Sequence, residues 1–424
     1  MRVLFATIPE KSHLYCMTPL VWAVRAAGHE VRVASTSQFT EAIAGMGMPA
    51  VAVGSNDEIT AGMSANRDSQ GWESLDWNEL DPARLTYDAE LERSQLFAFG
   101  CAMYNEPMVG GLVDFARAWE PDLVVWDPLT YAGPIAAGVV GAAHVRALCF
   151  TDVWVLKRQL FRKLYEQAPA DTRRDPLGDY LTGRTADFGG TFSEESITGQ
   201  LTLDPLPDSL GVATDAVRAP IRFVPHNGTG ALPDWVNVRP DRPRVLVSLG
   251  ASNHERYGGD YVSKTELLST VAELDVEVVA ALLPGQADEL GTLPSNVRVV
   301  RSVPLNAVLP HCSAFINHGG FGSWATALVY GVPQLVVTTR LAEQLLRAQR
   351  VEAQGAGLAL ETGQTSPEQV RDGIARLVEE PSFRENAARL REEAVSRPAP
   401  SRVVPLLERH AQERRAAPWR MPPA

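Results

Sequence analysis

Cysteine and lysine are both scarce in these 424 residues. The four cysteines, Cys16, Cys101, Cys149 and Cys312, are scattered with no CxxC spacing, so neither a disulfide framework nor a zinc site is expected. Only Lys11, Lys157, Lys163 and Lys264 interrupt an otherwise all-arginine basic set, and the formal net charge is −12. No basic block is present to track a phosphate backbone, which argues against a nucleic-acid partner. No apolar run approaches the ~20 residues that span a bilayer. The opening Arg2-Val-Leu-Phe-Ala-Thr reads as a strand entering a polar loop and not as a leader. A cytoplasmic protein without a membrane partner is therefore expected. The dinucleotide fingerprint GxGxxG is missing after both Thr7 and Leu249, and a Walker lysine and a DxD carboxylate pair are missing as well. NAD or ATP bound in their familiar ways is excluded on that ground.

The length exceeds the ~100–200 residues of one domain, so two are expected. Residues 2–7 and 244–249 are short apolar runs of the kind buried parallel strands show, each followed by a loop with small residues. Behind the first, residues 8–14 read as a polar loop, 16–27 as an apolar-periodic helix stopped by Gly28, and 31–34 as a strand. A further strand, 122–126, runs into Asp127-Pro128 and an Ala/Gly-rich helix. Residues 56–108, rich in Trp, Asp and Glu, read as an irregular helical insertion. Four prolines and two glycines within 225–243 cannot continue a helix or a central strand. The second half alternates strands at 297–300, 314–317, 334–337 and 357–360 with helices, a βα pattern that predicts a mostly parallel sheet covered on both faces. Ser366-Pro-Glu-Gln and Ser382-Phe-Arg-Glu both fit the capping box and predict helices starting near Pro367 and Phe383. The expected domains are thus 1–224, a linker at 225–243, a second domain at 244–405 and a frayed tail at 406–424.

The stretch FINHGGFGSWATALVYGVPQ places a Gly-rich turn between a strand ending at Asn317 and a helix beginning near Ser323. Unpaired backbone N–H groups at the positive end of a helix dipole attract a phosphate or pyrophosphate. Gly319, Gly320 and Gly322 would let its oxygens approach the main chain, and His318 and Ser323 offer side-chain donors. A plain tight turn would carry the same residues. The position lies beyond the carboxyl end of a strand, where open α/β sheets bind ligands.

INHGGFGSWATALVYGVPQ resembles the donor-binding signature of nucleotide-sugar glycosyltransferases. KSHLYCMTPLVWAVRAAGHEVRVAS resembles the acceptor-domain opening of the actinobacterial branch that attaches deoxysugars to macrolides, anthracyclines and other polyketides. VWDPLTYAGPIAA, VPHNGTGALPDWV, SVPLNAVLPHCSAFINHGG and LRAQRVEAQGAGLAL extend the likeness over nearly the whole chain. The resemblance implies an α/β protein of the GT-B fold, two Rossmann-like domains facing each other across a cleft, the first binding acceptor and the second donor.

It further implies inverting transfer of a deoxysugar, an aminodeoxysugar among the candidates, from a dTDP-sugar to a hydroxyl of a polyketide-type aglycone. By the same resemblance His13, in the loop ahead of the first helix, is the base, and Asp127 is the candidate for orienting it; a helix N-cap before Pro128 is the other reading of Asp127. His318 and the amides of Gly319, Gly320 and Gly322 hold the diphosphate, and Ser323 caps the helix. Ser252 lies near the phosphates, and Val303 to Leu305 meets the nucleobase. Relatives carry His-His-Gly-Gly where this chain has Asn317 first, and an acidic residue for the sugar hydroxyls where it has Glu343-Gln344. If that pair does not replace the missing acid, the donor presents few hydroxyls. No metal and no cofactor beyond the donor are implied. The branch often works with a haem-free, cytochrome-like auxiliary protein, and the need for one here is left open, as is a homodimer. A C-glycosyltransferase, a sugar-nucleotide epimerase and an inactive binding subunit are the competing readings.

Overall fold

The computed structural model describes residues 1–57, 59–61, 77–228, 230–250, 263–288, 290–301, 303–340 and 342–416. Ser252 and part of the 56–108 insertion lie outside the described residues. Two compact units are present: 1–206 with 211–222 and 398–424, and 207–210 with 223–397.

The first unit holds a seven-stranded, wholly parallel sheet. Its strands are β1 (Arg2–Ala6), β2 (Glu30–Ser35), β3 (Ala50–Ala52), β4 (Leu123–Trp126), β5 (Ala143–Ala147), β6 (Leu201–Asp204) and β7 (Arg218–Pro220), in the spatial order 3-2-1-4-5-6-7. This is the doubly wound arrangement, whose switch point lies between β1 and β4. Successive side chains of β1 go to opposite faces: Leu4 and Ala6 join one core with Val124 and Trp126, and Val3 and Phe5 join another with Leu14, Met17 and Val21. Both faces are covered, which is why the strands read as unbroken apolar runs.

Helix α1 (Lys11–Ala26) begins five residues earlier than the sequence pattern predicts, because Leu14 and Met17 already lie on its buried stripe with Leu20, Val21 and Val24. His13 therefore stands in the first turn of a helix and not in a loop. The region expected to be irregular up to Met108 contains instead the start of one long helix, α2 (Tyr87–Trp119), capped by the Thr86 side chain and running through Pro107. After β4 come α3 (Ala132–Val140) and, after β5, α4 (Val153–Gln167).

The second unit repeats the plan with six parallel strands: β8 (Arg244–Ser248), β9 (Glu277–Leu282), β10 (Val297–Arg301), β11 (Ala314–Asn317), β12 (Gln334–Thr338) and β13 (Gly357–Glu361). Their order, 10-9-8-11-12-13, puts the switch point between β8 and β11. The unit's helices include α5 (Phe321–Tyr330), α6 (Gln344–Ala353), α7 (Pro367–Glu379) and α8 (Pro381–Ser396). Ser366 makes the expected capping box with Gln369. Ser382 makes none, since Pro381 takes the first helical position and places Ser382 inside the helix.

The expected tail from residue 406 is also corrected. Residues 400–416 form a helix, α9 (Pro400–Ala416), whose Val403, Val404, Leu407 and Ala411 are buried in the first unit's core beside α1. The segment 225–243, expected as a linker, belongs to the second unit, where Val236 is buried against Leu246 and Phe315.

Candidate active site

At the first switch point the loop after β1 leads into α1 while Asp127 directly follows β4, so His13 and Asp127 arrive from the two strands that flank the crevice. His13 Nδ1 lies 3.0 Å from Asp127 Oδ1; the histidine side chain is 13% exposed and the carboxylate fully buried. Asp127 is held from several sides. The Leu129 amide donates to Oδ1 at 3.0 Å and the Ile8 amide to Oδ2 at 2.9 Å, and the Thr130 hydroxyl donates to Oδ2. Asp127 thus ties down a turn ahead of α3, whose own N-cap is Tyr131. The helix-cap reading is not what the structure shows.

Burial alone would push the Asp127 carboxyl upward; the charge and hydrogen bond of His13, with those of Thr130 and Leu129, hold it below its ordinary value. An ionised carboxylate only accepts, so it fixes the proton of the neutral ring on Nδ1 and leaves the lone pair on Nε2. Cys149 Sγ also faces Nδ1, at 3.4 Å, and the Phe150 ring meets the imidazole edge-on at 6.2 Å between centroids. The ring is clamped in one orientation with Nε2 as its basic atom.

The second unit builds a different site at its own switch point. Trp324 N is the first amide of α5 to bond back within the helix, to Gly320 O at 3.0 Å, and no side chain caps the N-terminus. The amides of Phe321, Gly322 and Ser323 have no intrahelical acceptor to reach. Ser323 is the third helical residue and so is not the expected cap. A Cβ added to Gly322 would meet nothing within 4 Å, so open space adjoins this turn.

Behind the loop the expected ligand-binders separate into two groups. Asn317, fully buried, donates to Gln334 Oε1 and accepts from the Gly319 amide, both at 2.9 Å. Both ends of its side chain are spent within the protein, and so is the Gly319 amide. Asn317 shapes the loop and does not face a ligand. Glu343 pairs with the buried Arg347, which also bonds the Gly319 carbonyl, so the carboxylate expected to bind sugar hydroxyls is engaged inside the fold. Gln344 Oε1 accepts from the Thr338 hydroxyl at 2.9 Å. Val303 and Leu305 are buried with Val236, Val308 and Phe315, so their side chains serve the core and not a nucleobase surface. Ser252 lies outside the described residues.

His318 remains at the loop. Its ring packs so closely on Gly250 and Gly320 that an added Cβ would come within 2.2 Å and 2.3 Å of ring atoms. Gly250, at φ 75°, is therefore part of the site. The sequence reading missed it, although a glycine just past a strand end is a readable sign of a close approach. Among the described residues no group of three or more His, Cys, Asp or Glu is placed to hold a metal ion. No helix among them is long and apolar enough to cross a membrane.

The arrangement offers a buried-carboxylate-oriented base in one unit and an anion cradle of helix-terminal amides beside a histidine in the other. Known proteins resemble the chain that carries it. The chain is 42% identical to 10-deoxymethynolide desosaminyltransferase of Streptomyces venezuelae, over 99% of both chains. It is also 42% identical to the aclacinomycin-T 2-deoxy-L-fucose transferase of Streptomyces galilaeus, over 98% of this chain and 97% of the other. The solved glycosyltransferase VinC in complex with dTDP superposes with a TM-score of 0.87 at 38% identity, covering 97% of this chain and 100% of that one. The N-terminal domain of the erythromycin biosynthesis protein CIII-like family matches residues 22–250 and its C-terminal domain residues 265–409. The chain belongs to this erythromycin biosynthesis protein CIII-like family and is a GT-B glycosyltransferase.

Proposed function

We propose that this glycosyltransferase moves a deoxysugar from a dTDP-sugar to a hydroxyl of a polyketide-type aglycone, with inversion at the anomeric carbon, in antibiotic biosynthesis. His13 Nε2 takes the proton of the acceptor hydroxyl as its oxygen bonds the anomeric carbon. The bond from that carbon to the diphosphate oxygen breaks, and dTDP leaves with the electron pair. A hydroxyl is a weak nucleophile near pH 7, and an imidazole base oriented by a carboxylate suits it. The second term acts on the leaving group. The Gly320 amide, the amides of the first turn of α5 and His318 meet the charge that grows on the diphosphate, so they stabilise the transition state more than the ground state.

With Glu343 engaged by Arg347, the loop offers no carboxylate from this pair to a sugar hydroxyl. That supports a donor with few hydroxyls, such as a 2,6-dideoxy or aminodeoxy sugar, and the names of the relatives speak for the same class. The complex of VinC with dTDP supports the nucleotide. The four cysteines form no disulfide, which fits a reducing compartment such as the cytoplasm.

The His13–Asp127 pair is the observation that carries this reading. With a dTDP-deoxysugar and a macrolide or anthracycline aglycone, His13→Ala should lower kcat by about 10²- to 10⁴-fold while calorimetric dTDP affinity stays as in the parent chain. Turnover equal to the parent's would remove His13 as the base.

A further inference from the structure

Arg347 is buried against the glycine loop. Its side chain is 2% exposed, one nitrogen bonds the Gly319 carbonyl and another pairs with Glu343. The rings of Phe321 and Trp324 each lie 5.4 Å from its guanidinium carbon.

In a trans peptide the carbonyl and the following N–H point in opposite directions. With the Gly319 oxygen held by the buried Arg347, the Gly320 amide must face away from that side chain. The restraint is needed because the peptide joins two residues without a Cβ, Gly319 at φ 82°, and nothing in their own side chains opposes rotation of that plane. Rotated, it would present a carbonyl dipole to an anion, replacing a hydrogen bond with repulsion.

We propose that Arg347 is a positioning residue that locks the Gly319–Gly320 peptide with its N–H toward the ligand and thereby sets the loop's affinity for a nucleoside diphosphate. This rests on the assignment of the loop as the diphosphate site. Since Arg347 acts on the part of the loop that meets phosphate, its loss weakens dTDP and leaves a nucleoside without phosphates unaffected.

The test compares dTDP with thymidine by calorimetry in the full chain and two variants. Arg347→Lys keeps a cation beside Glu343 but has one nitrogen where the fork had several. The double variant Arg347→Met with Glu343→Leu exchanges the buried pair for apolar side chains of similar volume, a change that folded proteins tolerate. Both should keep thymidine affinity, while dTDP affinity falls about 10- to 100-fold in the double variant and less in Arg347→Lys. Unchanged dTDP binding in whichever variants fold, or an equal loss of dTDP and thymidine, overturns the lock. If the parent chain itself binds dTDP no better than thymidine, the diphosphate assignment fails first and the lock falls with it.

Discussion

At Asp127 each carboxylate oxygen already accepts a backbone amide, from Leu129 on one side and Ile8 on the other. An asparagine there would have to turn its NH₂ toward one of these donors in either orientation, which leaves a buried donor unsatisfied and costs about 1–3 kcal/mol. With its NH₂ turned toward His13 it would also stop fixing the ring proton on Nδ1, and in either orientation the negative charge beside the ring is gone, so Asp127→Asn is expected to lower both stability and kcat. The stability difference has a pH signature. The carboxyl is held below its ordinary value, so its ionised form stabilises the fold above about pH 4, where the unfolded group ionises, and that contribution fades as pH falls through the folded value. Chemical denaturation between pH 7 and pH 3 should show the variant's deficit shrinking below about pH 4. A deficit independent of pH would mean that the charge of Asp127 contributes nothing.

The glycine-rich loop before α5 is an element defined by what surrounds it. Gly250 lies two residues past the end of β8, and its φ of 75° and the contact with His318 both demand glycine. Gly250→Ala should cost about 1–3 kcal/mol of stability and, by displacing the His318 ring, weaken dTDP more than thymidine. Unaltered dTDP binding in this variant would separate His318 from the diphosphate.

Elements were legible in the sequence in proportion to how far each depends on its own residues. β1, β4, β8 and β11 were readable because strands buried on both faces are near-continuous apolar runs, and Ser366 was readable because a capping box is complete within four residues. Helix α2 was obscured by Pro107, Gly110 and Gly111, which break the periodic pattern though packing against the sheet overrides them. The early start of α1 was hidden because Glu10 supplies no side-chain cap to mark it. In the site, His318 and the glycines stood out from the strand–turn–helix pattern, and His13 and Asp127 entered by resemblance. The uses of Asn317 and Glu343 were not, since both depend on Gln334 and Arg347, which only the folded chain brings to them.

Across the whole molecule, each unit places its candidate site residues at the switch point of a doubly wound sheet, and the first unit is completed by residues 398–416. Helix α9 buries Val403, Val404, Leu407 and Ala411 beside α1, and Glu408 bonds His29 at 2.9 Å. His144 of β5 accepts from Trp126 Nε1 at 3.3 Å and is pushed down to about 3, by burial first and then by His410 and Arg414 of α9. A histidine whose folded value is depressed contributes stability at pH above its unfolded value, near 6.5, and that contribution is lost as pH falls toward the folded one. His144 should therefore cost the protein about 2 kcal/mol between pH 7 and pH 5. His144→Gln, measured by urea denaturation at both pH values, should flatten this dependence. An equal slope in the two proteins would assign the acid sensitivity elsewhere.

A crystal structure with bound dTDP tests the assignment of the donor site most directly. The expected result is a diphosphate whose oxygens lie within about 3.2 Å of the amide nitrogens of Gly320 and the first turn of α5. A diphosphate bound away from that bend, with those amides facing only solvent, would contradict it.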